Sequence, residues 1–252
     1  MSIELLPIDW SAPPQVRAAF TLRKGGVSAA PWATLNLGSH VGDAADAVDE
    51  NRRRVAAALA LPAAPHWLQQ VHGIKVLDAD AMPDGAAAAT PADAAVSRAP
   101  GRVLAILVAD CMPVLLAALD GTVIGAAHAG WRGLAAGVLE ATIAAMRVPA
   151  GQLCAWLGPA IGPRHFEVGA EVRAQFLAAD PEATAAFSAN ERGRWQCDLA
   201  WLARRRLQRV GLTRIAGARL CTYAEATRCY SYRRDGRTGR MAALLWLHAT
   251  VS

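Results

Sequence analysis

Two apolar runs separated by the dipeptide Asp120-Gly121 constrain the fold of this chain more than any other feature. The surrounding stretch, residues 109–133, reads ADCMPVLLAALDGTVIGAAHAGWRG. An Asp-Gly pair between two such runs is typical of a two-residue hairpin turn, because Gly adopts the required positive φ at little cost. We therefore predict antiparallel strands over residues 113–119 and 122–128.

The register of this hairpin places a thiol and an imidazole on one face of the sheet. If the strands pair directly across the turn, Leu119 lies opposite Thr122 and His128 lies opposite Pro113. Cys111 lies two residues beyond Pro113, so its side chain projects from the same face as that of His128. Such diagonal neighbours have Cα atoms about 7–8 Å apart, and one metal ion can bridge them through bonds of roughly 2.0–2.1 Å to nitrogen and 2.3 Å to sulfur. Taken alone, the hairpin favours a half-buried cysteine and a core histidine, and Pro113, which cannot donate to the ladder, could also mark a bulge.

A second histidine, His72, is the third candidate ligand. It precedes Gly73 at the end of the strand-like run HWLQQVHG, residues 66–73. By itself this pattern is typical of a turn residue. Together with Cys111 and His128, however, it completes three protein ligands, the number found at catalytic zinc sites that keep one coordination position open.

Four arginines in glycine-containing segments are candidate substrate contacts. Arg132 lies in HAGWRG at a predicted strand-to-helix junction, where backbone N–H groups and a guanidinium favour an anion. The segments FTLRKGGVS and YRRDGRTGR, near opposite ends of the chain, contain Arg23, Arg233 and Arg240, which together could clamp a phosphate or a polar substrate. Each segment is also compatible with a solvated turn. We therefore treat these arginines as hypothetical phosphate or ribose contacts.

Composition excludes several classes of protein. The chain of 252 residues is 54% hydrophobic and 19% charged, which is typical of a globular protein. No apolar run approaches the roughly 18 residues of a membrane span, and the start MSIELLPIDW lacks the pattern of a signal peptide. The net charge of +5 comes mostly from scattered arginines, with Lys24 and Lys75 as the only lysines, so we predict neither a nucleic-acid nor a membrane partner. Five cysteines without a C-x-x-C pair indicate reduced thiols and a cytoplasmic location.

Short apolar runs and stretches of helical periodicity alternate along the chain, which predicts one mixed α/β domain over residues 1–252. The alanine-rich stretch 82–95 is predicted to be a loop. Further strands are predicted at 17–22, 66–71, 74–78, 103–110, 153–158, 215–219 and 241–247. Helices are predicted at 45–60, 134–147, 168–178 and 198–210.

Several motifs in one order resemble the YfiH-type laccase-domain family, whose members are filed as polyphenol oxidases or as purine nucleoside phosphorylases. The likeness extends from about residue 18 to residue 247, nearly the whole chain. The motifs are FTLRKGGVS, LNLGSHVGD, ENRRRVA, WLQQVHG, ADCMPVLL, AHAGWRG, GPAIGPRHFEVGAEV and YSYRRDGRTGRMAALLWL.

The resemblance implies a zinc site formed by His72, Cys111 and His128, which are the histidine of QVHG, the cysteine of ADC and the histidine of AHAGWRG. It also implies a layered sandwich of mixed β-sheets with flanking helices. The implied substrates are purine nucleosides and phosphate: phosphorolysis of adenosine, inosine and methylthioadenosine, together with adenosine deamination. The chain departs from the family at ADAAVS, residues 92–97, where ADALVT is usual, and at Ala160, where Cys is frequent. Neither departure affects the three implied ligands. For the oligomeric state, we expect a monomer or a weak homo-oligomer.

Other functions stay open at this stage. Cys111 could be a nucleophile with His128 as its base and the amides of GWRG as an oxyanion hole, and an amidase that edits cell-wall precursors has been suggested within the family. A copper-dependent polyphenol oxidase would need many imidazoles, whereas the chain has six histidines and no H-x-H pair, although two histidines and a cysteine can bind copper in vitro. In a deamination, Asp110, Glu167 or Asp43 could carry the proton. A non-enzymatic interaction module is the third alternative function.

Overall fold

The computed structural model describes residues 2–82 and 91–248. The strands are β1 (Leu5–Leu6), β2 (Val16–Thr21), β3 (His66–Trp67), β4 (Val76–Asp78), β5 (Ala94–Ser97), β6 (Val103–Val108), β7 (Met112–Ala118), β8 (Ile124–Ala129), β9 (Leu153–Leu157), β10 (Glu167–Val168), β11 (Phe187–Ala189), β12 (Trp195–Cys197), β13 (Arg214–Gly217) and β14 (Met241–Leu247). The α-helices are α1 (Ala45–Ala58), α2 (Trp131–Ala136), α3 (Val138–Met146), α4 (Ala170–Ala179), α5 (Leu199–Arg209) and α6 (Tyr232–Asp235). Turns of 3-10 helix occur at Ala79–Ala81, Ala150–Gln152 and Pro181–Ala186.

Within the described residues, these strands form two large mixed sheets and one small sheet. The five-stranded sheet has the order β1-β2-β14-β6-β3, the six-stranded sheet has the order β13-β9-β7-β8-β5-β4, and the small sheet has the order β10-β12-β11. The pairs β3 with β6, β13 with β9 and β4 with β5 are parallel. The predicted class, a mixed α/β fold built from mixed sheets, is therefore confirmed.

The two large sheets pack face to face, and helices cover their outer faces. Ile106 of β6 and Leu115 of β7 both belong to the apolar core between the sheets. Their neighbours point outward: Ala105 packs in a core with Val55 of α1, and Leu116 packs in a core that includes residues of α3 and α5. Because both faces of these strands are buried, their sequences are continuous apolar runs without alternation. This is the layered sandwich that the family resemblance implies.

The predicted hairpin register is confirmed, although the turn differs from the predicted one. In the β7–β8 ladder, Pro113 lies opposite His128. Of the two predicted turn residues only Gly121 has a positive φ, +72°, and the Asp120 carboxylate accepts hydrogen bonds from the backbone N–H and the hydroxyl of Thr122 at 3.0 and 2.7 Å. These bonds lengthen the loop by one residue on each side. A symmetric extension keeps every opposed pair, so the predicted faces are preserved.

Most other predicted elements lie within two residues of their observed bounds, and the exceptions have local causes. The predicted helix 134–147 is two helices, because Gly137 has φ +103° and ends α2 while α3 begins beyond it. The predicted loop 82–95 is wrong at its end, since Ala94–Ser97 form β5 between β4 and β8. Residues 83–90 of that loop lie outside the described residues. None of the described helices has both the length and the apolar content that a membrane span requires.

The predicted strand 66–71 ends early, at Trp67, because beyond it the side chain of Gln70, and not the backbone, forms the hydrogen bonds to β6. The side-chain amide of Gln70 donates to the carbonyl of Leu107 and accepts from the N–H of Leu107, both at 2.8 Å. These two bonds attach the segment to the end of β6 while its backbone turns away. The short strands β1, β10, β11 and β12 have two or three residues each, too few to show periodicity in a sequence.

Candidate active site

The three candidate ligands lie at one edge of the sandwich, where the chain passes between the large sheets. Cys111 lies in the turn from β6 to β7, and His72 lies in the loop from β3 to β4. Both connections lead from the five-stranded sheet to the six-stranded sheet. His128 lies in β8, beside the start of β7. The topology therefore gathers residues that are far apart in sequence.

The side chains of these three residues converge on one point. Their candidate ligand atoms all lie within 4.8 Å of one another. Nε2 of His72 lies 3.6 Å from Sγ of Cys111, and the rings of His72 and His128 have centroids 4.8 Å apart and planes inclined at 70°. Atoms bonded at 2.0–2.3 Å to one tetrahedral centre are about 3.5 Å apart. The spacing therefore approaches that of a metal site.

A glycine at the junction of β8 and α2 keeps the space between these side chains open. A Cβ atom added to Gly130 would lie 2.8 Å from Cδ2 of His72 and 3.0 Å from Sγ of Cys111. Gly133, one turn into α2, approaches the same loop: an added Cβ would lie 2.9 Å from the carbonyl oxygen of Gly73. The small residues of HAGWRG therefore allow α2 to pack against the loop that carries His72.

The buried carboxylate of Asp93 contacts both histidines. Its Oδ1 atom accepts hydrogen bonds from the backbone N–H of His72 at 2.9 Å and from Nδ1 of His128 at 2.8 Å. Its Oδ2 atom accepts from the backbone N–H groups of Val71 and Gly73 at 3.1 and 2.7 Å. The side chain of Asp93 is fully buried. One residue thus connects the loop of His72 to the ring of His128.

The electrostatics of the site favour a charged Cys111–His128 pair in the absence of a metal. Burial opposes ionisation of the Cys111 thiol, but the charge of His128 and hydrogen bonds from His128 and His72 outweigh it and hold the pKa of the thiol well below its usual value. Burial likewise opposes protonation of His128, but the Cys111 thiolate and the hydrogen bond to Asp93 raise the pKa of this imidazole. The sulfur is therefore in the thiolate form, which binds soft metals and attacks electrophiles.

A cavity of about 540 Å³ opens onto these side chains, and three of the four predicted arginines line it: Arg132, Arg233 and Arg240. Arg240 donates hydrogen bonds to backbone carbonyls of its own loop, and in the described part of the chain it forms no ion pair with a carboxylate. Burial lowers its pKa. Burial and the charge of Arg240 also lower the pKa of His40, another lining residue. This wall of the cavity is therefore cationic and suits an anion.

Arg23, the fourth predicted arginine, does not line this cavity. Its guanidinium donates to the carbonyl of Ala33 at 3.2 and 3.1 Å and to the carbonyl of Ala226 at 2.7 Å. It also lies over the ring of Tyr230, 4.8 Å from the centroid. These contacts connect two loops, and they place Arg23 apart from the three arginines that line the cavity.

Among the described residues, Asp110 is the one carboxylate that lines the cavity. It accepts hydrogen bonds from the Thr222 hydroxyl at 2.6 Å and from the backbone N–H of Arg233 at 2.7 Å. The other two candidate proton carriers lie elsewhere. Glu167 bonds surface side chains, including an arginine, and Asp43 accepts hydrogen bonds from a serine and an asparagine of nearby loops.

Sequence reasoning missed two features of the site. One is Asp93, which the sequence analysis did not predict to act in the site. Asp93 is a single carboxylate among small apolar residues, and this was an available signal, because metal-binding histidines usually donate their second N–H to a carboxylate. The aromatic lining was missed as well. Trp131, Phe166 and Tyr232 line the cavity, and nothing in their sequence spacing places them together.

Comparison with known proteins gives consistent matches along the chain. A family model described as multi-copper polyphenol oxidoreductase laccase matches residues 17–248. A Pseudomonas aeruginosa protein named purine nucleoside phosphorylase is 53% identical over 241 residues, covering 95% of this chain and 96% of that protein. The Escherichia coli protein named purine nucleoside phosphorylase YfiH is 49% identical over 244 residues, covering 97% and 99%.

Solved structures of related proteins have the same fold. A Neisseria meningitidis protein of family DUF152 is 45% identical with a TM-score of 0.92, covering 97% of this chain and 99% of that chain. YlmD from Geobacillus stearothermophilus is 31% identical with a TM-score of 0.88, covering 94% and 93%. From these matches, the chain belongs to the YfiH-type laccase-domain family.

Proposed function

We propose that this protein is a zinc-dependent purine nucleoside phosphorylase, which converts a purine nucleoside and phosphate into the free base and ribose 1-phosphate. One observation carries the proposal: a single cavity joins the His72–Cys111–His128 group to a cationic wall that contains Arg240. The names of the relatives support it. A cytoplasmic location and a monomeric or weakly oligomeric state stay predictions from the sequence.

The His72, Cys111 and His128 side chains would hold the metal. Two imidazoles and one thiolate are ligands that zinc prefers, and three protein ligands leave a position for substrate. The space that Gly130 leaves beside two of these side chains fits this role. When bound, zinc supplies a Lewis acid that polarises a substrate atom. Copper is the alternative metal, since the same ligand atoms bind it in vitro.

The remaining cavity walls suit the two substrates. The guanidinium groups of Arg132 and Arg240 match the charge and shape of phosphate, and the rings of Trp131, Phe166 and Tyr232 offer surfaces for a purine. In the reaction a phosphate oxygen bonds to C1′ of the ribose while the C1′–N9 bond breaks, and the base leaves with that electron pair and takes up a proton. The chain's contribution is to hold both substrates in line in one pocket.

Adenosine deamination is the second reaction of this proposal. Water replaces the 6-amino group of adenine, which yields inosine and ammonia, and a group that moves a proton is required. Asp110 is the carboxylate of the cavity and directly precedes Cys111. We therefore assign the proton transfer to Asp110 and no longer to Glu167 or Asp43, which lie outside the cavity.

Two other enzyme classes compete with this proposal. The charged Cys111–His128 pair favours a cysteine hydrolase or amidase, because a thiolate beside an imidazolium is an activated nucleophile. A multicopper oxidase is disfavoured. In the described part of the chain, one group of three His, Cys, Asp or Glu side chains is close enough to hold a metal, whereas such oxidases need several.

Products of purine nucleosides test the proposed function directly. Zinc-loaded protein incubated with inosine, adenosine or methylthioadenosine and phosphate is expected to release the free base and a ribose 1-phosphate product, and adenosine is also expected to yield inosine. Chromatography of the mixture measures all products. When phosphate is omitted, base release should fall to background while deamination continues. Base release that does not depend on phosphate would contradict the phosphorylase assignment.

Replacing Arg240 with methionine is expected to raise the KM for phosphate about 10- to 100-fold, because a hydrogen bond to a charged group contributes about 1.5–3 kcal/mol. The KM for inosine should change much less. Steady-state kinetics with each substrate varied in turn measure both constants. Arg237→Met is the matched control, because Arg237 lies in the same loop, stacks on Trp32 and does not line this cavity. An unchanged KM for phosphate in the Arg240 variant, or equal effects in both variants, would remove Arg240 from the phosphate site.

A further inference from the structure

We propose that Asp93 is the positioning residue that fixes both histidines of the site in their ligand orientation. The proposal rests on the metal site of the proposed function, and it concerns a residue that touches neither substrate nor metal. Asp93 lies just before β5 and is far in sequence from His72 and from His128. Its carboxylate is nevertheless the shared hydrogen-bond acceptor of both segments.

On one side, the carboxylate organises the loop that carries His72. Three consecutive backbone N–H groups, those of Val71, His72 and Gly73, point at its two oxygens. Such a run of N–H groups forms a concave site for an anion. His72 has φ +61°, in the left-handed region that a residue with a β-carbon seldom adopts. The carboxylate therefore compensates for an unfavourable backbone conformation that directs the ring toward Cys111.

On the other side, the same carboxylate orients the ring of His128. An ionised carboxylate only accepts hydrogen bonds, so the 2.8 Å contact requires a proton on Nδ1 of His128. Nε2 is then the ring nitrogen left for a metal. The backbone carbonyl of Asp93 also accepts the N–H of His128 at 2.7 Å. Ring and backbone of His128 are thus both attached to Asp93.

Four donors converge on this carboxylate, and an amide cannot accept from all of them. In Asp93→Asn one oxygen is replaced by an NH₂ group, which is a donor, so at least one pair of N–H groups faces another donor inside a buried space. The volume of the side chain hardly changes. The variant therefore removes hydrogen bonds while it keeps the packing, and its effect should be confined to the His72 loop and the His128 ring.

The test compares Asp93→Asn with Asp80→Asn. Asp80 is the matched control, because its carboxylate accepts from the Ser97 hydroxyl and the backbone N–H of Arg98 at the opposite end of β5. Zinc affinity, measured by competition with a chromophoric chelator, should fall about 10- to 100-fold in Asp93→Asn, as is usual for loss of such a partner. It should stay at the wild-type value in Asp80→Asn, although both variants lose stability.

Hydrogen exchange provides a readout that needs no metal. In the metal-free wild type, NMR should show slow exchange of the backbone N–H groups of residues 71–73 and of the Nδ1–H of His128. In Asp93→Asn at least two of these four should exchange about tenfold faster or more. Fast exchange of all four in the wild type would overturn the proposal even if the variant fails to fold.

The outcomes separate this proposal from the proposed function. If the wild type binds zinc and Asp93→Asn binds it equally well, with unchanged exchange, Asp93 is not a positioning residue and the proposed function stands. If the wild type binds no zinc, the metal site fails, and the exchange of the four N–H groups still decides whether Asp93 holds the two histidines.

Discussion

Replacing Cys111 with alanine is expected to remove zinc and phosphorolysis together. The variant keeps two imidazoles but loses the thiolate, which the two histidines hold in its charged form at neutral pH against the effect of burial, with a pKa of about 6. Loss of one of three protein ligands should lower zinc affinity on the order of 10³-fold, and kcat/KM for inosine should fall by a similar factor. Metal analysis after dialysis against a weak chelator gives the stoichiometry, and a phosphorolysis assay gives kcat/KM.

Cys221→Ala is the control for this substitution. Cys221 is also half-buried and free, but it lies outside the cavity and its sulfur accepts a hydrogen bond from the N–H of Gly162 at 3.1 Å. This variant should keep zinc and activity. Stoichiometric zinc in Cys111→Ala would contradict the proposed ligand set. A metal-free wild type that is active, and that loses its activity when Cys111 is alkylated, would support the cysteine hydrolase in its place.

The part of the site that could be derived from the residues is the part that local geometry controls. The side-chain period of a strand and the symmetry of a hairpin place Pro113 opposite His128 and Cys111 on the same face as His128. That inference holds although the turn is longer than predicted, because the loop gained one residue on each strand. A one-sided insertion would have moved His128 to the opposite face.

The rest of the site depends on contacts between distant segments. Arg23 and Arg240 both lie in glycine-containing loops and looked equivalent in the sequence. In the structure, the guanidinium of Arg23 donates hydrogen bonds to the carbonyls of Ala33 and Ala226. The guanidinium of Arg240 donates to carbonyls of its own loop, and Arg240 lines the cavity. Which loop carbonyl reaches which arginine is set by tertiary packing, so no pattern within either loop could distinguish them.

The position of His72 required a different kind of information. The residues alone predicted a strand to position 71, whereas the side chain of Gln70 replaces the backbone ladder and the chain turns toward Asp93. A side chain that imitates a backbone partner has no periodic signal. The count of three ligands suggested grouping His72 with Cys111 and His128, and the family resemblance implied the same set. The hydrogen bonds to Asp93 supply the physical cause of the position of His72.

Gly130→Ala is expected to disrupt the site without disturbing the fold. Gly130 has φ −66° and ψ 157°, a conformation that alanine adopts freely. The added methyl group would lie 2.8 Å from Cδ2 of His72 and 3.0 Å from Sγ of Cys111, closer than such atoms pack, so at least one of the two side chains must move. Since a displacement of about 1 Å can lower a rate about 10²-fold, we expect losses of that order in kcat/KM and in zinc affinity.

Gly151→Ala is the matched control for this steric effect, because Gly151 also has no positive φ and the nearest atom to its added Cβ is 3.9 Å away. It should keep full activity and gain about 0.4–1 kcal/mol of stability through the unfolded chain. Thermal unfolding of both variants separates a local clash from a general loss of structure. Wild-type zinc affinity in Gly130→Ala would mean that His72 and Cys111 do not close around a shared centre. Alanine adopts the φ and ψ of Gly130 without strain. A loss of zinc affinity with unchanged stability therefore indicates that the added methyl group fills the space between His72 and Cys111.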